Sequence, residues 1–398
     1  MSEIDNLTYK ETFSLAIKNH RKNNLKSAIK YYNDTLNKNP NHVDSLNNLG
    51  IIYLQQSDLL KAKKYYELAI NLKPDYANAH NNLGIVFEKI GKIDEAISSY
   101  DRTIKIDPKN VDAYNNLGNI YRKISKFDQS IFNYQKALSL NNKYVKAHFN
   151  LANVLKKVGR FDEAIISFEK AIDLKPDYDE AKHLLASLIG KTTTKAPRAY
   201  VEQLFDQYAK NFEDSLVNKL DYKTPKKIVE IIHRNTTDNF LGSVLDLGCG
   251  TGLVGVELKK LCLKLVGIDL SEGMLKISKD KNIYDNLIKD DIVNYLSNSD
   301  LNYNYYISAD VFIYVGDLDE LFKLIKNKNK SEGKIVFTTE HTEKDGFFLE
   351  KSGRYSHSKS YIENLCTKFE YVIKDFEKFE LRKSKNSIIT GGLYLLEF

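Results

Sequence analysis

At 398 residues the chain has room for two or three domains, each with its own core, and its 42% hydrophobic and 28% charged content is ordinary for a soluble globular protein. A net charge of +6 carried by scattered lysines, with no basic block, does not favour a nucleic-acid partner. The three cysteines form no CxxC pair, the N-terminus MSEIDNLTYKETF lacks a basic-then-apolar signal, and no long apolar run appears, so we expect a cytoplasmic protein without disulfides, structural zinc or a membrane segment.

In chain order, the first elements are repeats. Leu49, Leu83, Leu117 and Leu151 are spaced 34 positions apart, in LNNLGIIY, HNNLGIVF, YNNLGNIY and FNLANVL. The same offset joins Ala62, Ala96, Ser130 and Ala164, then Tyr66, Tyr100, Tyr134 and Phe168. This is the tetratricopeptide spacing of a helix–turn–helix unit, with small residues where the two helices touch. A degenerate earlier copy begins near residue 9 and keeps Ala28, Tyr32 and Pro40. With YDEAKHLLASLIG as a closing helix, we expect an α-solenoid of about five repeats over 1–190. Asn48, Asn82, Asn116 and Asn150 share one repeat position, so their amides form a ladder suited to an extended peptide backbone. They are equally suited to bonding neighbouring helices. The repeats resemble those of the O-linked N-acetylglucosamine transferases, whose asparagine ladder binds substrate peptide; that resemblance implies a protein or peptide partner.

Residues 191–197, KTTTKAP, read as a linker, and 198–398 as a second domain of alternating strands and helices. Its opening segment, VEQLFDQYAKNFEDSLVNKL, has a helical apolar pattern and is expected to cover a ligand, with Tyr208, Phe212 and Tyr222 as wall candidates. Each of them is equally readable as plain helix packing.

In SVLDLGCGTGLVG a strand enters a glycine turn that opens a helix, an arrangement that presents backbone N–H groups to a polar ligand. The next strand ends in Asp269, placed to take two ribose hydroxyls. GxGxG replaces the GxGxxG of nicotinamide-dinucleotide domains, Asp246 precedes the first glycine, and YDNLIKDDI brings Asp291 or its neighbour toward an adenine amino group. Asp310 ends the fourth strand, in YNYYISADVFIYV.

These motifs resemble the class I S-adenosylmethionine-dependent methyltransferases, and with the repeats the closest likeness is to bacterial enzymes carrying N-terminal tetratricopeptide repeats. The resemblance rests on LDLGCGTG, GIDLSEGML, SADVFIYVGDL, SGRYSHSKSY and LRKSKNSIITGGLYLLEF. It implies S-adenosylmethionine as cofactor. Asp246, Gly248, Cys249, Gly250 and Gly252 would hold the methionine part and Asp269 and Leu270 the ribose. Met274, Asp291 and Ile292 would adjoin the adenine, with Asp310 beside the transfer centre. The (D/N)PPY motif of many amino-group methyltransferases is absent; SADV stands in its place.

The acceptor side follows the fifth strand, GKIVFTTEH. Glu340 and His341 end it, and SGRYSHS supplies Arg354, Tyr355 and His357 in one short loop. An arginine there suits a carboxylate or phosphate, and His341 or His357 would serve as a base if the acceptor arrives protonated. The eight histidines are dispersed and make no metal-ligand cluster. FEKFELRKS and TGGLYLLEF, separated by a polar KNS turn, alternate as a closing antiparallel hairpin. The fold expected is thus an α-solenoid followed by a doubly wound Rossmann-like α/β domain with that hairpin. Two functions fit it: methylation of a protein, peptide or protein-linked acceptor recruited by the repeats, or methylation of a small molecule with the repeats serving only partners or oligomerisation.

Overall fold

The computed structural model describes residues 7–214, 222–236, 240–383 and 388–398. It divides into two compact units, Met1–Pro176 and Asp177–Phe398.

The first unit is five helix–turn–helix pairs. They are α1 (Tyr9–Arg21) with α2 (Leu25–Lys38), α3 (Val43–Gln55) with α4 (Leu59–Leu72), α5 (Ala77–Lys89) with α6 (Ile93–Ile106), α7 (Val111–Lys123) with α8 (Phe127–Leu140), and α9 (Val145–Lys157) with α10 (Phe161–Leu174). Caps set several of the boundaries: Thr8 and Glu11 form a capping box on α1, and Asp58 and Asn110 accept from the first turns of α4 and α7. Within the three middle pairs, the glycine of the first helix meets the tyrosine of the second. A Cβ on Gly50, Gly84 or Gly118 would lie 2.5, 2.6 or 2.5 Å from Cε1 of Tyr66, Tyr100 or Tyr134. In the last pair the same repeat positions hold Ala152 and Phe168, both buried, as are the three tyrosines. The turn between helices carries a left-handed residue at the same repeat position each time: Asn23, Ser57, Gly91, Ser125 and Gly159. Only two of the five are glycine, so this requirement is invisible to a search for glycines.

The second unit begins with α11 (Asp179–Leu188) and α12 (Arg198–Tyr208), then α13 (Thr224–Arg234). The segment between α11 and α12, expected as a linker, is instead a strap bound to its own unit. Ala196 N–H donates to Tyr314 O (3.1 Å), Asp317 N–H to Thr194 O (2.8 Å), and Leu349 N–H to Thr192 Oγ1 (3.3 Å). His183 of α11 bonds Gly353 O through Nε2 (3.0 Å), and Ala186 and Ala196 share an apolar cluster with Ile313, Leu349 and Tyr355. The expected division at 190 therefore moves to Pro176, because the closing helix packs on the sheet domain.

Beyond it lie β1 (Ser243–Leu247), α14 (Leu253–Leu258), β2 (Lys264–Asp269), α15 (Glu272–Asp280), β3 (Asn286–Lys289), α16 (Ile292–Asn298), β4 (Tyr305–Ser308) and α17 (Asp319–Lys328). They are followed by β5 (Lys334–His341), β6 (Phe347–Leu349), β7 (Tyr355–His357), α18 (Lys359–Phe369), β8 (Val372–Lys383) and β9 (Ile388–Glu397). The strands run β3-β2-β1-β4-β5, all parallel, and β9 joins β5 and β8 antiparallel to both. β7 pairs with β5 at Glu340–Ser356 and His341–His357, so the segment read as a loop is an added strand. The expected hairpin is present; its KNS turn lies outside the described residues.

Two cores flank the sheet, one packing Leu245, Leu247, Ile335 and Phe337 and the other Val244, Ile307, Val336 and Leu393. Strand alternation then decides which face each polar residue takes.

Candidate functional site

The glycine turn is fastened from below and beside. Gly248 and Cys249 N–H groups both donate to Ile268 O (2.8 and 2.9 Å), and Gly250 N–H donates to Asp269 Oδ2 (2.8 Å). Asp269 Oδ1 accepts from Ser271 N–H (2.8 Å), so the carboxylate joins the turn to the start of α15. Gly250 has φ +54° and nothing within 4 Å of the Cβ it lacks: the backbone there faces open space. Gly248, at φ +76°, is different, since a Cβ would stand 2.3 Å from Val311.

Asp246 was expected to meet a cationic group directly. The structure instead seals it under the turn, 1% exposed, where Oδ2 accepts from the Tyr284 hydroxyl (2.6 Å). Burial pushes its carboxyl up to about 7, and burial likewise raises Asp269 to about 6 despite the backbone N–H groups of Ser271, Gly250 and Leu270 that oppose it. Cys249, Met274 and Gly252 are also buried, whereas Gly250, Asp269, Leu270, Asp291 and Ile292 are partly exposed along the strand ends. Asp291 caps α16, accepting from Asn294 N–H (3.1 Å), and its neighbour Asp290 is held by the Asn294 amide.

The covering segment contributes α12, which docks on the same side. Asp206 Oδ1 accepts from Ser271 Oγ (2.5 Å) and Gly273 N–H (3.1 Å), capping α15 from outside. Tyr208 is half exposed, Phe212 packs on Phe205 at 6.1 Å, and residues 215–221 lie outside the described residues.

Asp310 sits past β4 in a left-handed conformation, φ +56°, an uncommon setting for a non-glycine residue. Its N–H donates to Thr338 Oγ1 (2.8 Å) and the Thr338 hydroxyl donates back to Oδ1 (2.9 Å). Tyr222 donates its hydroxyl to the same carboxyl. Arg382 Nη1 lies 3.8 Å from Asp310 Oδ2, its Nη2 bonds Glu340, and Arg354 Nη1 stands 3.6 Å from Glu340 Oε1. Two carboxyls and two guanidinium groups thus make one network of zero formal charge. Burial raises both carboxyls above their usual range, and the Arg382 charge opposes that.

Sequence reading missed Arg382. Along β8 it follows the buried Leu381, and strict alternation would send it to the other face. A bulge between Glu380 and Arg382 shifts the register, placing Arg382 opposite Ile389, on the face of Gly391 and Glu340. Gly391 stands on the strand between them and presents no side chain to block the reach. The fingerprint was a lone arginine beside a GG pair, and it had meaning only once the register was known.

The two histidines point elsewhere. Thr338 and Glu340 share a face, so His341 takes the opposite one, 6.2 Å from Phe376, and its partner in register, His357, lies there too. His357 is completely buried, with Nε2 3.1 Å from Val315 O and 2.8 Å from Gly316 O. Burial lowers its pKa to about 4. It is a neutral donor to two carbonyls, not a base facing an acceptor. Tyr355 is likewise a core residue, its hydroxyl 2.5 Å from Thr193 Oγ1; Arg354 alone of that trio reaches the network. The ladder amides are also engaged: Nδ2 of Asn82, Asn116 and Asn150 donates to Oδ1 of Asn47, Asn81 and Asn115 (3.0, 3.2 and 3.0 Å), and Asn48 bonds the Tyr32 hydroxyl. Among the described residues no three His, Cys, Asp or Glu side chains are grouped to hold a metal ion, and no helix is long and apolar enough to cross a membrane.

Residues 244–333 match a family model described as a methyltransferase domain. Models of the tetratricopeptide repeat match 31–64, 52–91, 89–124, 118–159 and 145–178. The chain joins a tetratricopeptide array to a methyltransferase domain. Similar solved structures include the MamA protein (26% identity, 44% of this chain and 94% of that one, TM-score 0.37). Another is TTC0263, a thermophilic TPR protein in Thermus thermophilus (18%, 46% and 99%, TM-score 0.39). A third is YrrB, titled a TPR protein with an unusual peptide-binding site (19%, 43% and 89%, TM-score 0.36). A search of curated proteins found no match.

Proposed function

We propose that the second unit transfers a methyl group from S-adenosylmethionine to a protein, peptide or protein-linked acceptor recruited by the repeat array. The observation that carries this reading is the tie between Gly250 and Asp269, which holds the glycine turn open at the carboxyl ends of β1 and β2. In parallel sheets that edge is where ligands bind. The donor set fits the cofactor: each Asp269 oxygen keeps a lone pair beyond its backbone bond for a ribose hydroxyl, Leu270 and Ile292 border it with apolar surface, and Asp291 supplies a carboxylate toward an amino group. Asp246 acts through the turn, because its buried charge favours a cation bound above.

Bound S-adenosylmethionine supplies a methyl group already activated on a sulfonium sulfur, so the chain's task is alignment and exclusion of water. Asp310, fixed by Thr338 and Tyr222, orients an acceptor N–H or O–H at the end of β4. Arg382 and Glu340 hold that carboxylate in place from behind. No histidine base enters this account; a neutral amine or a thiolate needs none.

Calorimetric titration of wild type and Asp269→Ala with S-adenosylmethionine and NADH is the test. We expect binding of the methyl donor alone, weakened about 100-fold in the variant by loss of two charge-assisted hydrogen bonds. Binding of NADH, or of neither ligand, would overturn the reading. Tritiated donor with peptide and small-molecule acceptor pools then separates the two acceptor classes.

A further inference from the structure

The first helices of successive repeats lie side by side, and at α1, α3, α5 and α7 they enclose a pocket of about 370 Å³. Among the described residues its charged lining consists of Asp44 and Asp112, with no lysine or arginine. Its remaining polar wall is mostly asparagine, including Asn47, Asn81 and Asn82, with Phe13 and Ile51 as apolar patches.

The hydrogen-bond pattern inside it is periodic and incomplete. Tyr76 donates to Asp44 Oδ1 (2.5 Å) and Tyr144 to Asp112 Oδ1 (2.5 Å), fixing the two carboxylates by the same device two repeats apart. Among the described residues, neither Oδ2 atom has a hydrogen-bond donor. Asn47 is 5% exposed and gives Oδ1 to Asn82, yet its Nδ2 has no acceptor among the described residues and its side chain lines the pocket. That Nδ2 opens onto the pocket, where it can donate to an acceptor that enters.

We infer that this pocket binds an extended peptide segment bearing lysine or arginine. Backbone carbonyls would meet the Asn47 Nδ2 donor, backbone N–H groups the asparagine oxygens, and the cationic side chains Asp44 and Asp112. A neutral or acidic segment would leave both carboxylates facing like or absent charge in a concave site. This rests on reading the array as a partner-binding module, and it names the chemistry of the partner.

Fluorescence anisotropy on the full chain tests it, with three labelled peptides identical except for lysine, glutamine or glutamate at alternate positions. The lysine peptide should bind about 10-fold tighter than the glutamine one, the worth of two exposed ion pairs, and should weaken as salt is raised. Asp44→Asn with Asp112→Asn, which keeps side-chain shape, should erase that preference with an unchanged circular-dichroism melting curve. Equal binding of all three peptides, preference for glutamate, or a preference that survives in the double variant would overturn the inference. If no peptide binds while the methyl-donor titration is intact, the partner-binding role of the array falls and the methyltransferase reading stands.

Discussion

The two units solve the problem of placing polar groups in opposite ways. In the array, residues that meet are either within one helix pair or one repeat apart: Asn82 reaches Asn47, Asn116 reaches Asn81, and Tyr76 reaches Asp44. The pattern is copied every 34 residues, so one repeat predicts the next. In the sheet unit, Asp310, Glu340, Arg354 and Arg382 converge from four separate segments, and no period relates them. The first unit distributes a surface; the second builds a single point. A point assembled this way depends on register and is fragile in a manner that a repeated surface is not.

The largest test of that difference is Arg382→Met. Removing the buried cation leaves Arg354 alone against two buried carboxyls, and we expect a loss of about 3–5 kcal/mol in urea unfolding of the second unit. A loss below about 1 kcal/mol would mean the network is exposed in solution. In the array, Gly84→Ala places a methyl 2.6 Å from Tyr100 Cε1. Overpacking should cost about 1–3 kcal/mol, read as a lowered melting transition of the repeats alone. The fifth pair already holds Ala152 and Phe168 at these positions, so an undisturbed Gly84→Ala protein would show that the third pair tolerates the methyl too.

His357→Gln separates packing from catalysis. Losing the imidazole between two carbonyls should cost about 1–2 kcal/mol of stability while leaving the pH profile of methyl transfer unchanged. Disappearance of a limb of that profile would restore the base role.

The smallest effect concerns Asp246. Its folded pKa of about 7 is raised above the usual carboxylate value, so its contribution to stability is present at low pH and is lost as pH rises through 7. Asparagine keeps an acceptor for Tyr284 without the charge. Relative to wild type, Asp246→Asn should therefore gain on the order of 1 kcal/mol between pH 6 and pH 8 in thermal melts without ligand. A constant difference across that range would show that Asp246 is already ionised in the resting protein.

Much of the chain was readable from order alone. Periodicity identified the repeats, because each must bury the same small and aromatic residues against its neighbour, and that demand recurs in the text. The glycine turn and Asp269 were readable because they are local: the turn needs left-handed residues and the acid follows at the end of the next strand. What tertiary structure alone decided were choices of face and of side. Strand pairing put His341 and His357 on the face away from Asp310, buried Tyr355 beneath the Thr192–Ala196 strap, and turned Asp246 under the loop. A bulge in β8 brought Arg382 to Glu340 across Gly391. A single-residue shift of register exchanges the faces of a strand, and nothing in the neighbouring letters records which partner strand will impose it.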